Sequence, residues 1–476
     1  MNSFLISLAV LIGGYLIYGT VIEKIVGMDP SRRTPAYTHQ DGVDFIPLPV
    51  WKVFLIQFLN IAGLGPIFGA IMGIMFGPAA FLWIALGTIF AGGVHDFAAA
   101  MISMRSGGAS LPEIIGTQLG NKIRNVMRIF SLLLMILVAA VFVITPAELI
   151  AAMTPQFFDR TFWVISIFIY YMLATLLPID KIIGNFYPVF GVALLFMACG
   201  ILAILLFGHI TIPDGMTEGF FNRYPDESIA THPIFPMMFV SIACGAISGF
   251  HATQSPMMAR CLKNERLAKP VFYGAMVTEG IVALIWAAAA IAFTGGYEQL
   301  AEYMHKGGST GQLVKDISVN WLGEVGGILA LMGVIFAPIT SGDTALRSAR
   351  LIASDFLKYS QTKLLHRLWL CIPLFLLTFA IMMIDFNVLW RYFAWCNQTL
   401  AVFTLWGITV WLATEKKNYI VTLLPALFMT VVCITYILFA PAPEGLGLNL
   451  FLSLIIGIII AIVLVSVFFK KVITTK

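Results

Sequence analysis

Two long apolar segments are interrupted by the stretches Asn60-Ile61-Ala62-Gly63-Leu64-Gly65-Pro66 and Gly245-Ala246-Ile247-Ser248-Gly249-Phe250-His251. Glycine and proline disfavour the helix interior, so both stretches predict backbone that leaves the helical conformation within a membrane. Non-helical backbone at that depth persists only inside protein or beside a water-filled cavity. Such interruptions in corresponding spans of two halves of a chain indicate the central binding site of a transporter.

The composition places the chain in a membrane. Of its 476 residues, 60% are hydrophobic and 11% are charged, whereas a soluble domain carries about 25% charged residues. The net charge of +4 is modest, and the sequence has no basic patch typical of nucleic-acid binding. The six cysteines form no CxxC pair, so neither disulfides nor structural zinc are expected. Residues 3–21 lack a basic leader and a cleavage site, which predicts a retained span.

Thirteen membrane spans are predicted from segments of about 20 apolar residues. They cover residues 3–21, 51–77, 79–104, 128–152, 161–178, 184–207, 233–259, 268–294, 326–353, 368–384, 386–412, 418–440 and 447–471. With the N-terminus placed outside, 23 of the 28 Lys and Arg residues fall on the inner side. Because positive charge concentrates in inner loops, this bias predicts an N-out, C-in orientation.

The positions of the interruptions predict an inverted repeat. Once the first span is set aside, the interruptions fall in spans 1 and 6 of the next ten. The runs Ile144-Thr145-Pro146 and Ala337-Pro338-Ile339-Thr340 fall in the third span of each half. Five spans make an odd unit, so the second copy inserts upside down. The alternative is chance, because glycine and proline are common in membrane helices.

The predicted fold class is therefore an all-α integral membrane protein with an inverted five-plus-five helix repeat. Its parts are an N-terminal transmembrane helix, an inner loop, a first five-helix repeat, an outer loop, a second five-helix repeat and two C-terminal transmembrane helices. In that order they cover residues 1–22, 23–50, 51–207, 208–232, 233–412 and 413–476.

The interrupted segments, the second of which we expect to be broken over 248–256, supply candidates for substrate binding. At such a break the amides that begin one half-helix favour an anionic group, and the carbonyls that end the other favour a cation. The candidates in the two breaks and in a neighbouring span are Gln57, Asn60, Gly63, Gly65, Ser248, Gly249, Gln254 and Asn397. The alternative for the first break is a glycine-lined packing contact between helices.

Polar side chains inside spans are costly and usually functional, which predicts a coupling path for protons or cations. The candidates are His95, Asp96, His251, Thr340, Ser341 and Asp343, with Glu279 as a weaker one. Histidine titrates near neutral pH and can carry a proton, although a neutral core histidine is the alternative at His251. Adjacent helical residues point about 100° apart, so His95 and Asp96 need not touch and a structural clamp is equally open.

The run that begins at Ala337 offers hydroxyl oxygens and one carboxylate, Asp343. Oxygens of this kind suit Na⁺, or a proton carried by Asp343. The alternative is an ion pair between Asp343 and Arg347, one helical turn on. Two buried histidines on different spans are compatible with haem or a metal, but no further ligand pattern supports either, so no resident cofactor is expected beyond H⁺ or Na⁺ as coupling ion.

The chain resembles the carbon starvation protein A (CstA) family. The matching runs are Tyr18-Gly19, Glu23-Lys24, Asp29-Pro30, Thr34-Pro35-Ala36, Asp41-Gly42-Val43-Asp44-Phe45, Ile61-Ala62-Gly63-Leu64-Gly65-Pro66-Ile67, Val94-His95-Asp96-Phe97, Ser248-Gly249-Phe250-His251 and Asn397-Gln398. The resemblance implies a multi-pass transporter of the bacterial inner membrane with a core like those of LeuT and the amino acid–polyamine–organocation (APC) superfamily. It also implies proton-coupled uptake of pyruvate or short peptides during carbon starvation.

Two departures from the long members of that family are visible. Only two predicted spans follow the ten-helix core, and a different run, Ala252-Thr253-Gln254-Ser255-Pro256-Met257-Met258, follows His251. The chain is thus a compact member by its resemblance.

The sequence as a whole predicts a secondary active transporter. No ATP-binding loop, nucleophile–base triad or spaced metal cluster is present in the sequence, so an enzyme or a self-contained pump is not expected. The expected partners are a small-molecule substrate and the lipid bilayer, without nucleic acid, and the oligomeric state is left open. A membrane sensor that binds a metabolite without moving it, and a channel, are the alternatives.

Overall fold

The computed structural model describes residues 1–151, 153–176, 183–225, 229–361, 363–384 and 386–474, and over these ranges it contains helices and no strand. The first eleven α-helices are α1 (Asn2–Val26), α2 (Pro35–Thr38), α3 (Val50–Ile61), α4 (Ala70–Ile74), α5 (Ala79–Gly87), α6 (Gly93–Arg105), α7 (Leu111–Leu119), α8 (Asn121–Ala151), α9 (Arg160–Leu176), α10 (Ile183–Phe207) and α11 (Gly215–Glu218). The others are α12 (Phe239–Ser241), α13 (His251–Ala259), α14 (Gly274–Thr294), α15 (Tyr297–His305), α16 (Thr310–Leu357), α17 (Leu364–Ile381), α18 (Phe386–Thr414), α19 (Ile420–Phe439) and α20 (Leu450–Thr474). Two of the predicted inner charges, Lys181 and Lys476, lie outside the described residues.

Ten of the described helices are long and apolar enough to cross a membrane, and the bent pair of α3 and α4 makes eleven. The two remaining predicted spans correspond to α9, an apolar helix of 17 residues, and to the interrupted stretch 234–259. The prediction of an all-α membrane protein is confirmed. The total of thirteen spans, the inverted repeat and the orientation stay predictions.

The helices form a packed centre with lipid-facing elements around it. In the span that contains α5 and α6, 83% of the most apolar window is buried, against 22% for α1 and 17% for α20. The large buried cluster lies between α3, α6, α8, α13, α14 and α16. The interrupted elements are thus surrounded by protein, as non-helical backbone in a membrane requires.

Both predicted interruptions are present. We call residues 62–64 break 1, where α3 ends and a π-helical turn, Gly65–Gly69, leads into α4 with the axis bent by 54°. Break 2 covers residues 242–250, between the end of α12 and the start of α13. The sequence predicts this break over 248–256, which is too far towards the C-terminus. In the structure α13 begins at His251 and contains Pro256.

The two interrupted elements run antiparallel along each other and touch at their breaks. A Cβ atom on Gly65 would lie 2.0 Å from Cys244 Cβ, and one on Gly69 would lie 2.9 Å from the Ser241 carbonyl oxygen. Further along, Gln57 Nε2 donates to Ser255 Oγ over 3.1 Å. Glycine is required at residue 65 because any side chain would separate the two breaks.

The two spans predicted to match through Pro146 and Pro338, α8 and α16, also pack together, and a tyrosine of α9 joins them. Pro146 has no N–H, so the carbonyl of Phe142, four residues earlier, loses its helical donor. Tyr171 Oη donates to that carbonyl over 2.8 Å and lies 3.3 Å from the Pro338 carbonyl oxygen. Within α16, Gly323 has a positive φ of 71°, which separates a short leading segment from the membrane span.

Candidate functional site

At break 1, backbone carbonyl oxygens and backbone N–H groups leave the helical hydrogen-bond pattern at the centre of the molecule. The carbonyl oxygens of Leu59 and Asn60, at the end of α3, lie 3.1 and 2.9 Å from Ser341 Oγ. Among the described residues, the Gly63 and Leu64 N–H groups donate no hydrogen bond to a backbone carbonyl outside the helices. Both side-chain polar atoms of Asn60 are likewise buried without a partner there. Break 1 therefore offers free donors to an anionic or polar ligand.

Break 2 is held by one residue of α18. Asn397 Oδ1 accepts hydrogen bonds from Ser248 Oγ at 3.0 Å and from the Phe250 N–H at 2.7 Å. The Gly249 N–H donates to the Asn397 carbonyl oxygen at 3.1 Å, and a Cβ on Gly249 would lie 2.4 Å from that oxygen. Asn397 therefore satisfies the amides that precede α13, so a ligand at break 2 has to compete with this side chain.

Four buried ionisable side chains form a continuous chain next to break 2. His95 Nδ1 lies 2.8 Å from Asp96 Oδ1, and His251 Nδ1 lies 3.1 Å from Asp96 Oδ2. On its other side, His251 Nε2 lies 3.5 Å from Glu279 Oε2. All four side chains are fully buried. We call His95, Asp96, His251 and Glu279 the central cluster.

The predicted residues of α16 occupy two different environments. Ser341 Oγ lies at the carbonyl end of α3 and also 2.9 Å from the Ala337 carbonyl oxygen. Thr340 Oγ1 lies 2.9 Å from the same Ala337 oxygen, so hydroxyl and carbonyl oxygens gather beside break 1. Asp343 points elsewhere and accepts a hydrogen bond from Tyr187 of α10. Its second oxygen, Oδ1, is buried without a hydrogen-bond partner among the described residues.

The structure, which describes both residues, shows no ion pair between Asp343 and Arg347, the alternative that their i, i+4 spacing offered. Arg347 Nη1 lies 3.1 Å from Asp44 Oδ1 in the loop before α3, and Arg350 Nη2 lies 3.0 Å from Asp44 Oδ2. A loop residue thus occupies the place that the i, i+4 spacing suggested for Asp343. The spacing favoured a partner within the helix, whereas the fold brings a carboxylate from 303 residues away.

Towards the arginines, Gln254 Nε2 lies 3.0 Å from Thr253 Oγ1 and 3.4 Å from Ser348 Oγ. Ser348 adjoins Arg347 on α16, so Gln254 links α13 to the arginine-bearing end of that helix. Gln254 therefore lies between the central cluster and the arginines of α16.

A cavity of ≈ 430 Å³ lies at the opposite end, which the charge pattern predicts outside. It reaches from Lys315 and Glu148 down to Phe68, Thr145 and Trp390. Rings close its floor in a series towards the central cluster, with centroid distances of 6.4 Å for Phe68–Trp390, 5.6 Å for Trp390–Phe393, 5.8 Å for Phe393–Phe142 and 6.3 Å for Phe142–Phe250. The cavity thus approaches both breaks and stops at an aromatic floor.

Most of the predicted site residues lie in one region. The two breaks carry Gln57, Asn60, Gly63, Gly65, Ser248, Gly249 and, on its adjoining helix, Gln254, with Asn397 bound to break 2. Their roles in binding stay predictions. His95 and Asp96, whose contact the sequence left open, are in contact. Sequence reasoning undervalued Glu279, a lone carboxylate within an otherwise apolar span, and missed Tyr187, Asp44 and Arg350, whose partners are distant in the chain.

The fold and its buried polar centre describe a multi-pass membrane protein built around two interrupted helices, an arrangement typical of transporters. Comparison with known proteins gives the family. Residues 1–158 and 147–324 match the family described as carbon starvation protein CstA, which covers more than half of the chain. The chain belongs to the carbon starvation protein CstA family. In bacteria, a multi-pass protein of this kind lies in the inner membrane.

Three relatives illustrate the similarity. An "Uncharacterized membrane protein" of Haemophilus influenzae is 42% identical over 350 residues, 64% of this chain and 94% of that protein. The pyruvate/proton symporter BtsT of Escherichia coli is 27% identical and covers 59% of this chain and 47% of its own length. The peptide transporter CstA of Bacillus subtilis is 25% identical over 90% of this chain and 88% of its own length. These matches support a membrane transporter of small substrates.

Proposed function

We propose that the protein is a secondary active transporter that imports small carboxylate-bearing nutrients, pyruvate or short peptides, with protons as the driving ion. The names of the relatives, a pyruvate/proton symporter and peptide transporters, agree on substrates that carry a carboxylate. The observation that carries the proposal is the contact of two interrupted helices beside the four-residue central cluster. A response to carbon starvation is part of the proposal through the family.

Substrate binding is assigned to break 1. The free N–H groups of Gly63 and Leu64 precede a half-helix, and the positive end of a helix dipole favours an anionic group. The side chains of Phe142 and Cys244 fill the space over Gly63 and Gly65, so these glycines serve the packing around break 1 and only the N–H groups are offered to the substrate. Asn60, whose side-chain amide is buried without a partner among the described residues, supplies a further donor.

Proton coupling is assigned to the central cluster. His251 lies between two carboxylates, with Asp96 at 3.1 Å from one ring nitrogen and Glu279 at 3.5 Å from the other. A histidine ring accepts a proton on one nitrogen and releases one from the other, so it can pass charge between its neighbours. Glu279 Oε1 and Oε2 make no hydrogen bond among the described residues, so a proton on this carboxyl has an open position to occupy.

The oxygens near Ser341 supply a second candidate for coupling. Three backbone carbonyls and two hydroxyls surround this point, a donor set that suits Na⁺. Asp343 stays a proton or cation candidate nearby, held by Tyr187. Sodium is therefore the alternative coupling ion. Uptake driven by an imposed Na⁺ gradient, compared with uptake driven by an imposed pH gradient, decides between Na⁺ and H⁺.

The inverted five-plus-five repeat with N-out, C-in topology is part of the proposal. It is supported by the two breaks, by the antiparallel contact between the elements that contain them, and by the matching prolines in α8 and α16. In transporters with this arrangement, one group of helices rocks against the other around the fixed site. The cavity on one side of the breaks and the packed residues on the other are consistent with one end point of such a motion.

The deciding experiment measures uptake by the purified full-length chain in proteoliposomes. With an imposed pH gradient, we expect saturable accumulation of labelled pyruvate or dipeptide above the external concentration. Binding without flux would favour a membrane sensor, and flux that never runs against a gradient would favour a channel. Competition of labelled pyruvate with di- and tripeptides then identifies the substrate class.

Coupling is tested by Glu279→Gln, which keeps the size of the side chain and removes its ability to ionise. We expect accumulation driven by the pH gradient to be lost while exchange of labelled for unlabelled substrate continues. A Glu279→Gln protein that still accumulates substrate to the wild-type level would remove Glu279 from the proton path. Thr278→Val, one residue away on the partly buried face of α14, is the matched control.

A further inference from the structure

The loop before α3 inserts a carboxylate among buried arginines. Asp44 is 3% exposed and lies 3.0 and 3.3 Å from Arg350 Nη2 through its two oxygens. Arg347 Nη1 lies 3.1 Å from the same carboxylate. Both arginines are fully buried within α16. One nitrogen of Arg350 thus approaches both oxygens of Asp44 and Arg347 Nη1 approaches one of them, so Asp44 leaves unused the paired N–H groups with which a guanidinium can bind a carboxylate.

The loop is held in place as a cover for this site. Asp41 Oδ1 accepts hydrogen bonds from the N–H groups of residues 43, 44 and 45 at 2.8, 2.9 and 2.9 Å, which fixes the turn that carries Asp44. Arg260 stacks over the Phe45 ring with its guanidinium carbon 4.9 Å from the ring centre. The Leu48 N–H donates to the Cys261 carbonyl oxygen at 3.1 Å. Residues 41–48 therefore seal the end of α13 opposite the cavity lined by Phe68, Thr145 and Trp390.

The arginine site carries more positive charge and more donors than Asp44 uses. Arg350 Nε and Nη1 are buried and make no hydrogen bond among the described residues. The positive charges of Arg347 and Arg367 both repel the positive charge of Arg350. Arg367 itself donates to a carbonyl oxygen, that of Leu176, at 2.6 Å. A buried guanidinium with unused donors beside other positive charges is costly unless an anion approaches it.

The arginine site adjoins the helix that begins at break 2. Gln254, on the helix that begins at break 2, reaches Ser348 at 3.4 Å, and Ser348 lies between Arg347 and Arg350 in α16. A ligand that leaves the breaks away from the aromatic floor therefore meets Gln254 first and the arginines next.

We propose that Arg350, with Arg347, forms a second carboxylate-binding site on this route, which Asp44 occupies in the sealed state and the substrate carboxylate takes over as the seal opens. The inference rests on the proposed function, since it places this site on the exit path of the same substrate. Exchange of one carboxylate for another leaves no arginine unpaired, whereas simple removal of Asp44 leaves uncompensated buried charge. Return of Asp44 then expels the substrate and closes the path.

Cys261 is a built-in reporter of the seal. It is fully buried, and its Sγ lies 3.8 Å from the Asp44 carbonyl oxygen. The experiment measures the rate at which N-ethylmaleimide labels Cys261 in the purified full-length chain in lipid nanodiscs, by peptide mass spectrometry. Cys433, which is buried in α19, serves as the internal reference for global unfolding.

In the wild-type chain, we expect pyruvate or dialanine to accelerate labelling of Cys261 at least tenfold, while pyruvamide and dialanine amide have no effect. Asp44→Asn is expected to label at least tenfold faster without any added carboxylate. Arg350→Gln is expected to abolish the acceleration by carboxylates. Asp214→Asn, which alters a loop carboxylate at the opposite end that binds Ser3, is the matched control with wild-type behaviour.

Equal labelling with the acids and with their amides overturns the proposal, as does an Asp44→Asn chain that labels as slowly as the wild type. Labelling of Cys433 in the Asp44→Asn chain would show that this variant has not folded. The proposal is then decided by the comparison of acids with amides on the wild-type chain. The labelling does not depend on flux. Labelling that depends on the acid, without accumulation of substrate, would support the arginine site and refute transport. Accumulation of substrate without such labelling would support transport and refute the arginine site.

Discussion

The contact between the two breaks gives the sharpest quantitative prediction. In Gly65→Ala, the new Cβ would lie 2.0 Å from Cys244 Cβ and 2.5 Å from its Sγ, whereas 3.4–4 Å is an ordinary contact. The breaks must therefore separate by about 1.5–2 Å, and overpacking of this kind costs about 1–3 kcal/mol. If that cost falls on the substrate-bound state, it corresponds to a loss of roughly 5- to 150-fold in affinity.

The assay is the initial rate of uptake in proteoliposomes together with the thermal unfolding temperature of the detergent-solubilised chain. We expect Gly65→Ala to lower uptake by at least about fivefold, the lower end of that range. Adding Cys244→Gly removes the clashing Cβ and should restore uptake in part, because Cys244 Cα remains only 3.3 Å from the new methyl group. Adding Cys244→Ala removes the overlap with Sγ but keeps the closer one with Cβ, at 2.0 Å, so it should restore less uptake than Cys244→Gly.

Gly13→Ala is the control for a glycine-to-alanine change in a membrane helix, since no atom lies within 4 Å of its added Cβ. Wild-type uptake by Gly65→Ala would refute the reasoning. Equal rescue by Cys244→Gly and Cys244→Ala would refute it too, because only Cys244→Gly removes the overlap with Cys244 Cβ, the closest one.

Three further outcomes are expected. Asp343→Asn should abolish driven uptake and spare substrate exchange, and unchanged accumulation would remove Asp343 from the mechanism. Tyr171→Phe should destabilise the chain by about 1–3 kcal/mol in thermal or denaturant unfolding, because it leaves the buried Phe142 carbonyl without a donor, and an unshifted transition would contradict this. Burial raises the pKa of Asp44, but the charges of Arg350, Arg347 and Arg260 outweigh burial and hold that pKa below its ordinary value. The seal is then complete above that pKa and weakens only as the pH falls through it. The labelling rate of Cys261, divided at each pH by that of a free thiol because the thiolate is the reactive form, should therefore stay constant between about pH 5 and 8. A rise of this ratio within that range would show that another group controls the seal.

The parts of the fold that could be predicted from the sequence follow from the membrane itself. Apolar length defines most spans, because a helix must satisfy its own backbone in hydrocarbon, and a break in such a span is conspicuous for the same reason. Break 1 falls where the glycines and Pro66 place it. Break 2 was predicted too late in the chain because Pro256 resembles a helix breaker, whereas α13 contains it.

The contacts of the site could be predicted only in part. His95, Asp96 and His251 stand out as costly residues in apolar spans, but the partners of each depend on how distant helices pack. The pairing of Arg347 illustrates the limit, since local spacing favours Asp343 and the fold supplies Asp44. Long-range partners such as Asn397 on break 2 and Tyr187 on Asp343 likewise leave no periodic signal in the sequence.

The aromatic floor of the cavity lined by Phe68, Thr145 and Trp390 has a practical consequence for spectroscopy. Trp390 lies at the boundary between the cavity and the packed rings that shield the breaks. Indole emission shifts to longer wavelength when water reaches the ring. In a chain whose other tryptophans are replaced by phenylalanine, the wavelength of the Trp390 emission maximum would report in real time when water enters the space around this ring. No attached dye is needed.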